Sequence, residues 1–464
     1  MTGTDTAFPD HRVGPATNVG DTLMAMRIAV LCAGNAGQAF AGGMTLSGHE
    51  VHLAAVPEHA VQIRVIQAFG GVLVEGSTAA GKPGGFAAIE QVDTDVAAAI
   101  TWAEVVFLVS PAFGQDTYFE YIAANAPDGQ LIVIQPGKFG ALRLADVLRD
   151  HGRDPLDLLI TETETFLYAA KIHGLDRIWL RGIKQHLPIA AYPAERTAEA
   201  IERLTPVHRQ YVPAANVLQT SLSDPACALH PVTTLLDLSR IEAIGPYRTK
   251  AYSISRGSGR MVEAVDAERV RVAAAYGLRS PSLLEQLKDM YGLTGDTAYE
   301  AMMQTTVHVD QMTPRGPDHR YVTEEVPFGL VPMSELARLA GLATPNADAI
   351  IELASTINQV DYRATGRGLS EHGPGRGDGR RRQAPGRIVT GWPPTKTALT
   401  SSRFAGLHTT RSASSPAAIR PRSEKPNTCA GVDVHIMMPR ARSTRPRPIQ
   451  RCTRASIGSQ LPPA

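Results

Sequence analysis

Cysteine is scarce in this chain, and what there is falls into no pattern. The four, Cys32, Cys227, Cys429 and Cys452, make no C-x-x-C pair and meet no histidines at zinc spacing. That excludes a disulfide scaffold and a structural zinc module, and Cys32 and Cys227 are expected as reduced interior thiols. No apolar run reaches the roughly 18 to 20 residues that a bilayer demands. The segment from Met1 to Met26 lacks both a basic start and an apolar core, so no secretory signal is expected. Met24 or Met26 is a candidate natural start, and residues 1–25 are expected to be a disordered extension. No internal repeat is evident. The expectation is a cytoplasmic protein that engages neither membrane nor nucleic acid.

Net charge is nearly absent too, at +1 over 464 residues, but this hides an asymmetry. From Leu369 onward 17 Lys/Arg stand against 4 Asp/Glu, which leaves 29 and 41 for the rest. An acidic body with a basic tail is not the footprint of a nucleic-acid-binding domain. Past Gly366, "GPGRGDGRRRQAPGR" and the residues after it are rich in Pro, Arg, Ser and Gly and sustain neither helical nor strand period. Such a segment buries too little apolar surface to offset chain entropy. Residues 367–464 are therefore expected to be a disordered basic tail, native or a frame-shifted extension, dispensable if the chain is cut near 366.

The body opens as a βαβ pattern: "RIAVLCAG", then the small and helical "NAGQAFAGGMTLSG", then "HEVHLAAV". "AEVVFLVSPA", "GQLIVIQPG", "DLLITET" and "LPIAAYP" are apolar runs suited to strands buried on both faces. These predict a doubly wound, parallel α/β Rossmann domain over 26–213. From 214 to 366 helical patterns with Ser or Asp starts and glycine stops take over, predicting an all-helical domain.

"VLCAGNAGQA" places Cys32, Gly34 and Gly37 at the three glycine positions of a dinucleotide fingerprint. There the first turns tightly, the second admits a pyrophosphate and the third lets helix and strand pack closely. Cysteine breaks the first demand. The loop follows the first strand and opens a helix, which gives the match its weight. A nicotinamide dinucleotide is expected with its phosphates near Gly34, Asn35, Ala36 and Gly37, where free N–H groups favour anions; Ala55 and Pro111, at later strand ends, join the cofactor set. The second strand ends Ala54-Ala55-Val56 with no acid before Glu58. NAD and NADP both stay open, with Arg64 the nearest arginine.

His230 stands before Pro231 in "LHPVTTLLD", and proline suits a first helical turn. His230 is thus expected at a helix start facing the cleft between domains. Late in the body "DHRYVTEEVPFGLVP" puts Arg320 and the adjacent Glu324 and Glu325 ahead of an apolar stretch. On spacing alone, the plainer readings are a structural or solvated histidine and a surface ion pair.

Taken together and in order, "LHPVTTLLD", "VDAERVRVAAAYGLRSPSLLEQLKDMYG", "RYVTEEVPFGLVPMSELARLAG" and the glycine loop resemble the opine dehydrogenase family, from about residue 26 to about 366. The resemblance implies NAD(P)H-dependent condensation of an α-amino acid with an α-keto acid and reduction of the imine. It implies His230 as general acid/base, Glu325 as its partner carboxylate and Arg320 as the anchor of a substrate carboxylate. Chemically, such a carboxylate orients the ring and stabilises its charged form, and a guanidinium offers two parallel hydrogen bonds. Departures are Glu325 where the family carries aspartate, Ala226 where its closest kind carries asparagine, and "YSISRG" in place of an expected Glu-Gly-x-x-Pro loop, with Arg256 a candidate compensating contact. Pro136, Gly137, Glu162, Tyr168 and Lys184 are softer shared positions. Two alternatives stand beside this reading: a ketopantoate-reductase-like dehydrogenase acting on keto acid alone, and a cofactor-binding redox sensor. A homodimer is a further expectation.

Overall fold

The computed structural model describes residues 25–305 and 311–369, all within one compact unit. The expected N-terminal extension up to 24 and the tail beyond 369 lie outside the described residues. The sheet-bearing part runs β1 (Arg27–Leu31), α1 (Asn35–Leu46), β2 (Glu50–Ala54), α2 (Ala60–Phe69), β3 (Gly71–Ser77), β4 (Pro83–Ala88), β5 (Gln91–Asp93), α3 (Val96–Trp102), β6 (Val105–Leu108), α4 (Ala112–Asn125), β7 (Leu131–Ile134), α5 (Gly140–Asp150), β8 (Leu159–Thr163), β9 (Tyr168–Ile172), β10 (Arg177–Ile183), β11 (Leu187–Tyr192), α6 (Thr197–Leu204) and β12 (Tyr211–Pro213).

But for Arg27, strands β1, β6 and β7 are apolar and buried from end to end, as strands covered on both faces must be. The large sheet has the order β12-β11-β8-β7-β6-β1-β2-β5. From β5 to β8 every pairing is parallel, the doubly wound arrangement expected from the pattern. The far edge departs from it. After β8 the chain leaves through β9 and β10 and returns as β11, antiparallel to β8. Strands β9 and β10 join β3 and β4 in a second, four-stranded sheet, which the sequence pattern did not announce. Small residues let α1 sit between the sheets, with Phe40 and Met44 packed among Val30, Leu53, Val72, Val74 and Ile178.

Beyond Pro213 come α7 (Val217–Ser223), α8 (Ala226–Leu236), α9 (Leu238–Ile244), the short strand β13 (Arg248–Thr249), α10 (Arg256–Ala275), α11 (Leu283–Tyr291), α12 (Ala298–Gln304), the short strand β14 (Gln311–Met312) that pairs with β13, α13 (Arg320–Thr323), α14 (Val331–Leu339), α15 (Pro345–Asn358) and α16 (Tyr362–Thr365). Ser255 and Ser282 cap α10 and α11 through reciprocal hydrogen bonds with Ser258 and Glu285, and left-handed Gly292 stops α11. Among the described residues no helix is long and apolar enough to cross a membrane.

Two expectations need correction. Pro231 lies inside α8 rather than in its first turn. The helix begins five residues earlier than expected, because the Asp224 carboxylate accepts from the Ala226 N–H and organises the start. And packed chain continues past 366: Arg367 and Leu369 are both buried. The Arg367 guanidinium donates to the carbonyl of Lys138 at 2.6 Å and to Gln115 Oε1 at 3.1 Å, and lies over the Phe328 ring.

Candidate active site

The glycine loop forms the turn between β1 and α1. Cys32 has φ +87°, in the left-handed region that the fingerprint's first glycine normally serves, so the cysteine accepts local strain there. Its thiol is buried; burial pushes the pKa up, against weaker hydrogen bonds from Gly34, Tyr118 and Ser110. A Cβ on Gly37 would lie 1.7 Å from the Cys32 carbonyl oxygen, whereas one on Gly34 would meet only the Cys32 sulfur, at 3.9 Å. Gly37 thus enforces close helix–strand packing, and Gly34 leaves its outer face open. Helix α1 has no side-chain cap and no acid in its first turn. Open backbone and unneutralised N–H dipoles fit a pyrophosphate. Asn35 is exposed and its Oδ1 accepts from the Ile172 N–H. Ala55 is fully buried at the end of β2, and Arg64 lies exposed on α2. Pro111 precedes α4 as its N-cap.

Helix α8 carries His230 near its middle. The His230 ring is stacked on Tyr321, with centroids 4.1 Å apart and planes 17° from parallel. The Tyr252 ring lies 5.2 Å away. Tyr252 opens the "YSISRG" segment, and it, the preceding Ala251 and the following Ser253 all have positive φ. Three successive non-glycine residues in that region are costly, and this turn carries the ring that lies beside His230.

Two adjacent acids face different parts of the molecule. His319 caps α13 by accepting from the Tyr321 N–H. Its own pKa is held down at about 4, first by burial and then by Arg320 and His230. One turn later, Glu324 Oε2 lies 3.0 Å from Arg320 Nη2, and Glu324 Oε1 accepts from the N–H of Ala112 at the start of α4. Arg320 keeps 41 % of its side chain exposed. Glu325 points the other way, and its Oε1 lies 3.1 Å from His230 Nδ1. A π-helical turn, Val326–Leu330, follows, a widening common at functional sites. Within it Gly329 is indispensable, since a Cβ there would lie 2.6 Å from the Cys227 Cβ. That approach draws the segment onto α8 and Glu325 onto His230, which accounts for Pro-Phe-Gly after two acids.

The carboxylate is shared. Lys138, in the loop after β7, places Nζ 2.6 Å from Glu325 Oε2 and 2.7 Å from Asp224 Oδ2. Both Lys138 and Glu325 are 3 % exposed or less. Burial alone would raise the Glu325 pKa, but Lys138 and His230 together hold it down at about 2. Burial opposes the Lys138 charge, yet Asp224 and Glu325 lift its pKa well above the usual lysine value. Sequence reasoning missed Lys138 and Asp224. The only available signal was a lysine directly after Pro136-Gly137 at the carboxyl edge of the sheet, where ligands gather.

The structure therefore brings His230, Glu325 and Arg320 into one segment pair, and joins it to the strand end at Pro111 through Glu324. Among the described residues His230 Nε2 has no hydrogen-bond partner. Ala226 opens α8 one turn before His230. Glu162 accepts from Thr220, from Ser221 and from the Ala141 N–H, a fully buried staple between β8, α7 and α5. Glu164, just past β8, is also buried, and burial lifts it to about 7 in spite of Lys184. Tyr168 is packing, its hydroxyl accepting from the Ala79 N–H.

A family described as NAD/NADP octopine/nopaline dehydrogenase, alpha-helical domain, matches residues 213–358. An opine dehydrogenase from Arthrobacter sp. (strain 1C) is 34% identical over 346 residues, covering 74% of this chain and 94% of that protein. A vitopine synthase from Allorhizobium ampelinum is 25% identical over 347 residues, with the same 74% and 94% coverage. Among solved structures, an octopine dehydrogenase with NADH and L-arginine superposes with TM-score 0.61 at 21% identity, covering 74% of this chain and 93% of that one. A yersinopine dehydrogenase with NADP+ gives 0.57 at 15% identity, with 74% and 93% covered. The two structures share the fold, a sheet-bearing domain followed by helices.

Proposed function

The chain belongs to the opine dehydrogenase family, and from that premise we propose that His230 is its general acid/base, with Glu325 as partner carboxylate and Arg320 as anchor of a substrate carboxylate. The enzyme is an NAD(P)-dependent oxidoreductase that condenses an α-amino acid with an α-keto acid and reduces the product to a secondary amine. The observation that carries the proposal is the 3.1 Å contact between His230 Nδ1 and Glu325 Oε1, two side chains 95 residues apart in sequence.

An ionised Glu325 accepts from Nδ1–H, which fixes the tautomer and leaves Nε2 to exchange protons with substrate. Nε2 takes a proton from the substrate ammonium, freeing the amine to attack the keto carbon. The same proton returns to the carbinolamine hydroxyl, which leaves as water, and an iminium remains. The hydride that reduces it would come from NAD(P)H when bound. Cys32, Gly34, Asn35, Ala36 and Gly37 would hold the pyrophosphate, with Ala55 and Pro111 at the neighbouring strand ends. No carboxylate at the end of β2 repels a 2′-phosphate, so both coenzymes belong in the assay. Arg320, half engaged by Glu324, still turns donors outward toward a carboxylate.

The test is oxidation of NADH and NADPH with panels of α-keto acids, with and without amino acids. Turnover requiring both partners supports the reading; turnover with keto acid alone supports a ketopantoate-reductase-like enzyme. Tight cofactor binding with no oxidation under any pairing supports a cofactor-binding redox sensor. With a productive pair in hand, His230→Ala is expected to lower kcat roughly 10²- to 10⁴-fold, and undiminished turnover removes His230 from the chemistry. Arg320→Lys is expected to raise the KM of one substrate with little change in kcat, and unchanged KM values for both substrates refute the anchor. We also infer a cytoplasmic enzyme that pairs as a homodimer, and sedimentation of the purified protein checks the pairing.

A further inference from the structure

We propose that Lys138 is the positioning residue of this site: its ammonium, clamped between Asp224 and Glu325, fixes the glutamate carboxylate against His230 Nδ1. The inference rests on the reading of His230 as acid/base and goes beyond it, because Lys138 touches neither the ring nor an incoming substrate.

The geometry carries the argument. Asp224 Oδ2, Lys138 Nζ, Glu325 and His230 Nδ1 form a continuous line of contacts at 2.7, 2.6 and 3.1 Å. Charges alternate along it, and the four groups sum to zero once the histidine holds a proton. A line of buried charges is tolerated only when each is paired; removing its one fixed cation would leave two carboxylates facing each other. The line also crosses the fold. Lys138 belongs to the sheet-bearing part, whereas Asp224, Glu325 and His230 come from the helical part.

The backbone at Lys138 is held to this task. Lys138 and Phe139 both have positive φ, 51° and 62°, a strain that persists only where the surroundings over-determine it. Here they do. The Gly137 N–H donates to the Thr163 carbonyl, the Phe139 N–H donates to Ser221 Oγ, and the Lys138 carbonyl accepts from Arg367. Glutamate replaces the shorter aspartate that the family resemblance led one to expect. Its extra methylene lets one carboxylate reach the histidine with one oxygen and the lysine with the other. The ionisable groups around Glu325 are Lys138 from the sheet-bearing part, His230, Asp224 and Cys227 from α8 and its approach, and Arg320, Tyr321 and Glu324 from its own segment.

Two variants test this, each assayed with a productive keto acid and amino acid pair across pH 5 to 9. Lys138→Met removes the cation, and the double variant Lys138→Met with Asp224→Asn also removes the carboxylate that would otherwise be orphaned, which guards against a mere folding failure. The expected result for both is a kcat about 10- to 100-fold lower, the KM for NAD(P)H unchanged, and a new loss of kcat on the acid side as Glu325 takes up a proton. If Lys138 serves only to neutralise Asp224, the double variant regains wild-type kcat with an unaltered acid limb, and the proposal is overturned. Failure of the underlying reading looks different: there His230→Ala keeps its activity in the same assay, and the Lys138 inference falls with it.

Discussion

Glu325→Asp restores the shorter acid that the family resemblance suggested, and in this chain it should impair the enzyme. Losing one methylene withdraws the carboxylate by about 1.3 Å, the projection of one C–C bond of ~1.5 Å. The contact to His230 Nδ1 would lengthen from 3.1 Å to about 4.4 Å, beyond hydrogen-bond range. Lys138 has a flexible stem and follows the carboxylate part of the way, so only the histidine contact is counted as lost. A hydrogen bond to a charged group contributes about 1.5 to 3 kcal/mol. Felt fully in the transition state, that corresponds to a kcat roughly 10- to 150-fold lower. Glu325→Gln is the companion variant. It keeps the reach and removes the charge, so comparing the two separates distance from electrostatics. The assay is steady-state oxidation of NAD(P)H at saturating keto acid and amino acid over the same pH range. Glu325→Asp at wild-type kcat with an unchanged pH profile would refute the reasoning, because then the position of the carboxylate does not matter.

Two predictions concern stability. Ending the chain after Gly366 strips Arg367 from the carbonyls of Ala112 and Lys138 and from Gln115 Oε1; each buried acceptor left unsatisfied costs about 1 to 3 kcal/mol, so thermal unfolding should move down by several degrees or more, whereas ending it after Leu369 should match the full chain in both melting and activity. Equal behaviour of the two truncations would show that Arg367 is dispensable. His208, packed among Phe40, Phe107, Tyr168 and Tyr211 with neither ring nitrogen bonded, is held down to about 3 from 6.5, chiefly by burial. Because the folded-state value is the lower one, the unfolded chain takes the proton first, and stability present above about 6.5 is lost as pH falls, by about 2 kcal/mol between pH 6.5 and 5. Glu164, raised to about 7, works the other way, so the comparison must be with His208→Phe: that variant should lose less stability on acidification than the wild type, and equal losses in chemical denaturation at pH 7 and pH 5 would contradict it.

How far the sequence is legible depends on what each feature encodes. The doubly wound core was readable because β1, β6 and β7 are nearly continuous aliphatic runs, and only a sheet covered on both faces calls for those. Helix α11 was readable from Ser282 and Gly292, whose roles are local, whereas α10 opens at Ser255 and Arg256, in a stretch that reads as a loop. The four-stranded sheet was not. Strand β3 pairs β10 about a hundred residues away, and β4 includes Pro83, Gly84 and Gly85, which read as a turn. Nor was the start of α8, where a proline tolerated inside a helix imitated a first-turn proline. Arg367 was lost between Gly366 and Gly368, where composition says linker and only a tertiary partner says otherwise.

The site shows the same division more sharply. His230 and the pair Glu324-Glu325 stood out because residue type and order carried a resemblance, which named Glu325 as the acid beside the histidine but gave no physical reason for it over Glu324. That is decided by the helical turn: Glu324, four residues after Arg320, shares its face of the segment and turns to α4, while Glu325 falls about 100° further round and meets α8. The approach that lets it do so depends on a missing side chain at Gly329, and the charge that steadies it comes from a lysine 187 residues upstream. A glutamate in the aspartate's place looks, in sequence, like a defect of one methylene. With Lys138 beside it the extra length becomes a second contact, so the two positions are coupled, and Lys138→Met combined with Glu325→Asp should cost less than the two single variants added together.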